Sequence, residues 1–83
     1  MNDSILETLL VAVDQQLVSP ETPFVRKTYD RLVKLGLPET IACEQIAICL
    51  GEESENMLKN KQAFDLKAYR KRLDELPFEE EEG

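Results

Sequence analysis

Residues 41–53 read "IACEQIAICLGEE", and the spacing of their apolar side chains decides the fold. Ala42, Ile46 and Cys49, with Met57 two turns further on, recur on one side of a repeat of 3.6 residues. That is the period of an α-helix and not the alternation of a strand. Carried outward, the pattern predicts a helix from Glu39 to Lys59, opened by Pro38. It is the longest and most apolar helix of the chain, so it belongs at the centre. Gly51 lies inside it, at a cost of about 1 kcal/mol relative to Ala.

The two cysteines of this stretch invite a chemical reading, and their spacing argues against it. Six residues apart on one helix, Cys43 and Cys49 stand about 9 Å apart along the axis and about 120° apart around it. A disulfide needs Cα atoms within about 7 Å, so they do not pair with each other. Zinc needs further thiolate or imidazole ligands. The chain has no other cysteine and no histidine, which excludes a zinc site within one chain. Glu44 beside Cys43 opposes formation of a thiolate. Both cysteines read as small core hydrophobes.

Three other residues of the helix do not fit its amphipathic pattern. Glu53 falls inside the apolar arc, where a carboxylate is costly unless paired or hydrogen-bonded. It is expected to reach a Lys, Arg or Tyr of another helix, or else to contact a ligand or partner. Ile41 and Ile48 fall on the opposite arc with Glu44, Glu52 and Glu55. Aliphatic side chains two turns apart on a wet face suggest either a further side of packing or a self-association seam.

Three more helices flank this one. The first is predicted from Ser4 to Val18, with Ser4 and Glu7 as a capping box or Asp3 as the cap. Its inner face carries Ile5, Leu6, Leu9, Leu10, Val13 and Leu17. After "VSPETP", Thr22 is expected to cap a second helix with Pro23 in its first position. This helix runs to Leu35, with Val25, Tyr29, Leu32 and Leu35 inward and Arg26, Lys27, Asp30, Arg31 and Lys34 outward. Arg26–Asp30 and Asp30–Lys34 are helix-spaced pairs worth about 0.2–0.5 kcal/mol each. Gly36 ends it in a left-handed cap, with Leu37 making the accompanying apolar contact. "KNKQ" breaks the chain again, Asn60 serving as the left-handed terminator. Asp65 then caps a fourth helix whose inner face is Tyr69, Leu73 and Leu76, with Phe64 stapled to Tyr69 and Pro77 at the end. No segment alternates as a strand.

The reading is therefore all-α, a compact bundle of four helices. Residues 1–77 form one domain, and 78–83 a disordered acidic tail. With 83 residues, 42% hydrophobic and 33% charged, the chain is too apolar for wholesale disorder. It is also small enough that association would add welcome buried area. The acids of the first seventeen residues rule out a signal peptide there, and no stretch approaches a membrane span. The expected location is the cytoplasm, where cysteines stay reduced.

Most catalytic chemistries lack their parts. Without histidine there is no Ser-His or Cys-His pair and no Glu-x-x-His di-iron motif. A phosphate-binding glycine loop, a nucleophile elbow and an EF-hand are equally missing. No catalytic residue, cofactor or metal ligand is assigned. Lys59, Lys61, Lys67, Arg70, Lys71 and Arg72 face Asp65 alone, and Lys67, Arg70 and Lys71 project away from the inner face. They suit an acidic partner or nucleic acid, or else screening by the acidic tail. A net charge of −7 argues against nucleic acid or anionic membrane as the main partner.

"LGEE", "MLKNKQAFD" and "YRKRLDELP", together with the upstream "VRKTYDRLVKLGLPETIA", form a pattern that resembles small bacterial all-helical proteins of unknown function. In these a helix ending in two acids leads through a Lys-rich break to a Phe-Asp helix start. The resemblance runs over residues 10–77 and departs at Gly51 and Asn60, where Ala and Gly would be expected. Since such proteins carry no known activity, it implies no catalytic residues. The function expected is a non-enzymatic protein-interaction or regulatory module with a protein partner or a second copy. The partner-binding candidates are Ile41, Ile48, Glu53, Lys67, Arg70 and Lys71. The alternative is a nucleic-acid-associated regulator using the last three.

Overall fold

A computed structural model describes residues 3–77, with side chains from Ile5 onward. Four helices follow one another: α1 (Asp3–Leu17), α2 (Pro23–Lys34), α3 (Glu39–Asn60) and α4 (Leu66–Asp74). The described residues contain no strand. The all-α four-helix reading holds, and α3 is central in the literal sense that it packs on each of the other three. Helix α2 also touches α1 and α4, whereas α1 and α4 do not pack on each other.

The core is built from the inner stripes of all four helices. Val13 of α1, Val25 and Leu32 of α2, Ala42, Ile46 and Cys49 of α3, and Tyr69 and Leu73 of α4 are buried. Each larger apolar side chain among them contributes about 1.5–3 kcal/mol by leaving water. Phe24 and Phe64 both meet the Tyr69 ring edge-on, at centroid separations of 6.0 and 5.6 Å. Phe64 thus makes the staple expected at the start of α4. Asp65 caps that helix, its Oδ1 accepting from the Ala68 N–H at 3.1 Å.

The break between α2 and α3 also follows its sequence signals. Gly36 has φ +106°. Its N–H bonds to the Val33 carbonyl at 3.0 Å, and the next N–H, of Leu37, reaches back to the Leu32 carbonyl at 3.1 Å. These two bonds close the Schellman motif that Gly36 permits.

Several local expectations are corrected. Thr22 precedes α2 but makes no side-chain cap. Its hydroxyl instead donates to the Gln16 carbonyl at 2.9 Å, tying the end of α1 to the start of α2. Leu35 is 60% exposed, because it lies past the last turn of α2, at the C-cap. The inner stripe takes in Thr28 instead, buried with its hydroxyl donating to the Phe24 carbonyl at 2.9 Å, as a threonine inside a helix can. The left-handed residue after α3 is Lys61, φ 53°, and not Asn60. Asn60 completes the last turn, and the Gln62 N–H closes it on the Met57 carbonyl at 3.1 Å. Ile5 of α1 is exposed. Asp30 pairs with Arg26 at 3.2 Å, and the ion pairs among the described residues do not include Lys34.

Gly51 has a packing reason. A Cβ built there would stand 3.0 Å from the Leu9 Cδ1 atom, so the missing side chain lets α1 lie close against α3. The capping of α1 and the acidic segment 78–83 lie outside the described residues. Among these, no helix is long and apolar enough to cross a membrane.

Candidate functional site

Glu53 sits where its place on the helix put it, buried at 3% exposure. Its charge is met from α4: Arg72 donates through Nε to Glu53 Oε2 and through Nη1 to Glu52 Oε1, the latter at 2.8 Å. The hydrogen bond to Glu53 raises the Arg72 pKa, against a smaller lowering by desolvation. The expected partner from another helix is thus Arg72, a residue first read only as part of the basic segment from Lys59 to Arg72. One guanidinium spans two carboxylates and fixes α4 on α3.

A second arginine holds the same, C-terminal end of α4 from the side of α2. Arg31 of α2 donates to the Leu73 carbonyl at 2.8 Å and also to the Leu76 carbonyl. A helix leaves its last carbonyls without partners and concentrates negative partial charge there. Arg31 answers both, and is half-buried in doing so. Sequence reasoning placed Arg31 on the solvent face. The only signal that could have found it is the absence of another cap between Leu73 and Pro77.

Tyr69 makes the link between α4 and α1 that their backbones do not. Its ring is fully buried and its hydroxyl donates to Gln16 Oε1 at 2.6 Å. Burial raises the Tyr69 pKa, and the neighbouring Cys49 raises it further. Cys49 is buried at 1% exposure. Burial, followed by the Glu52 carboxylate, pushes its thiol up to about 11. It is neutral packing material at neutral pH. Both cysteines are free thiols.

Cys43 has a different setting. It lines a groove of about 400 Å³ between α1, α2 and α3. Leu10, Leu17 and the Tyr29 ring supply its apolar walls, and Asp14, Glu39 and Glu44 surround them with carboxylates. No lysine or arginine lines it. Burial first, then Asp14, Glu39 and Glu44, raise the Cys43 pKa. Tyr29 is shifted in the same direction by desolvation and then by Glu39. The groove is therefore an acidic, partly apolar recess that disfavours a nucleophilic thiolate. Sequence reasoning missed it, because its walls come from three helices and none of its residues breaks a pattern on its own. Among the described residues no three Asp, Glu or Cys side chains come together in a way that could hold a metal ion.

The outward arc of α3 borders this groove. Ile41 is 38% and Ile48 42% exposed, on the same side of the helix as Glu44 and Glu55. On α4, Lys67, Arg70 and Lys71 are all exposed. The Arg70 guanidinium lies over the Phe24 ring, 5.6 Å from its centroid. None of the six partner-binding candidates lines the groove; Ile41 and Ile48 are exposed on α3, and Lys67, Arg70 and Lys71 on α4. Glu53 belongs to neither surface, since Arg72 takes its carboxylate inside the fold.

No family model matches the chain, and neither a curated protein nor a solved structure is similar to it.

Proposed function

We propose that this chain is a non-enzymatic interaction or regulatory module that docks another protein surface through the outward arc of α3. The observation that carries the reading is the exposure of Ile41 and Ile48 on the helix whose Glu39 and Glu44 line the acidic recess without an ion pair. Several groups with chemical potential are used structurally: Glu53 and Arg72 on each other, Arg31 on the end of α4, Cys49 in the core. A cytoplasmic setting fits two free thiols. The test is Ile48→Glu in the full chain, read by light scattering and by co-purification with a tagged copy. The substitution should abolish association with a second copy or with a specific partner and leave the melting temperature nearly unchanged. A monomer that brings down no partner and is indifferent to Ile48→Glu refutes the reading.

The exposed Lys67, Arg70 and Lys71 favour a second reading, a nucleic-acid-associated regulator. It demands binding that weakens steeply with salt and on Lys71→Glu. Absence of any gel shift at low salt removes it.

A further inference from the structure

Among the charges that take part in no ion pair are two sets of opposite sign on different helices, three acids lining the groove and three cations on α4. The ion pairs among the described residues are Arg26 with Asp30 and Arg72 with Glu52 and Glu53. Neither the groove acids Asp14, Glu39 and Glu44 nor the α4 cations Lys67, Arg70 and Lys71 take part in one. No residue of α4 lines the groove, so the two sets do not close on each other within it. Beside the cations, Leu66 is 53% exposed, an aliphatic group suited to the apolar walls formed by Leu10 and Leu17.

A dimer that simply laid the α3 arc on its own copy would bring Glu44 and Glu55 against their own equivalents, and like charges across an interface are costly. An exchange between unlike surfaces avoids this. We propose that the acidic groove between α1, α2 and α3 receives the basic face of α4 from a second copy of the same chain, Lys67 and Lys71 meeting Asp14 and Glu44. If both copies reciprocate, residue i meets j and j meets i, which is the form of a closed two-fold dimer. The inference rests on the docking role given to the α3 side and names its occupant.

Each copy carries a net charge of −7, so long-range repulsion opposes the local attraction. The contact is accordingly weak, and the concentrations that reveal a weak association run from about 10 µM to 1 mM. It is strongest near about 0.1 M salt, where charges more than about 10 Å apart are already screened.

Sedimentation velocity on the full chain across that concentration range tests it. The wild type should dimerise. Asp14→Lys with Glu44→Lys, and separately Lys67→Glu with Lys71→Glu, should each weaken the dimer at least about tenfold, the loss typical of truncating a contributing contact. Mixed in equal amounts, the two variants should associate with each other, because each again faces the opposite sign. Far-UV circular dichroism and melting report whether the variants fold, and Asp14→Asn with Glu44→Gln gives a milder substitute that should weaken the dimer in the same direction. A wild type that stays monomeric throughout, or reversed variants that still self-associate, or a mixture that stays monomeric, overturns the exchange. A monomeric wild type that still binds a different protein through Ile48 overturns this inference alone and leaves the interaction reading standing.

Discussion

Arg72 and Glu53 are nineteen positions apart in the chain and join α4 to α3 through a guanidinium–carboxylate bond whose acid is buried at 3% exposure. Removing one member leaves a buried charge without a partner, and that loss exceeds what the pair itself contributes. Arg72→Met should destabilise the fold by about 2 kcal/mol, below the full range for a buried pair because the arginine remains 37% exposed on its side chain. Glu53→Met with Arg72→Met should recover most of that loss. Urea unfolding of the two single variants and the double variant measures the coupling, and additive losses would reject it.

Arg31 should matter for the end of α4 in particular. Arg31→Ala strips the Leu73 and Leu76 carbonyls of their charged donor, at a cost of about 1.5–3 kcal/mol. The local signature is faster hydrogen exchange at the Glu75 and Leu76 amides, which close the last turn onto Arg72 and Leu73 at 3.1 Å each. Exchange that rises evenly over all four helices would show that Arg31 acts on global stability only.

At Gly51 two effects of similar size oppose each other. Alanine would gain about 1 kcal/mol of helix propensity but place a methyl group 3.0 Å from Leu9 Cδ1. Gly51→Ala alone should be near neutral. In a Leu9→Ala background, where that contact is gone, it should stabilise by about 1 kcal/mol. A cycle of melting curves tests this, and equal effects in both backgrounds would contradict the close approach.

Alkaline stability follows from Cys49. Its folded pKa, about 11, is raised from 9.0, so the native state holds its proton where the unfolded chain has lost one. The stability this gives is fully present below pH 9 and falls as the pH rises toward 11. Tyr69, also raised, extends the loss in the same direction. Cys49→Ala should lower stability at pH 7 through the cavity it leaves and flatten the slope between pH 9 and 11. An unchanged slope in denaturant titrations at several pH values would count against it.

The helices were legible because their determinants are local. Pro23, Gly36, Pro38 and Asp65 act within one turn of themselves, and the inner faces of α3 and α4 follow from a period of 3.6. Cys49 in the core, Glu53 on the buried arc and Ile48 on the wet one were all readable from the wheel. Leu35 was misread because a wheel carries no information about where the helix stops. Thr22 was misread because the carbonyl its hydroxyl finds belongs to Gln16 of the preceding helix.

The sequence by itself determined the four helices, which faces are apolar, and the lack of histidine that removes most catalytic designs. Only the tertiary structure decided which cation meets Glu53, that Arg31 turns inward to the end of α4, that Tyr69 ties α4 to Gln16, and that three helices enclose an acidic groove. These depend on how the helices cross. A long arginine side chain can serve solvent, a carboxylate or a helix end from the same position on the wheel, and the neighbouring helix settles which.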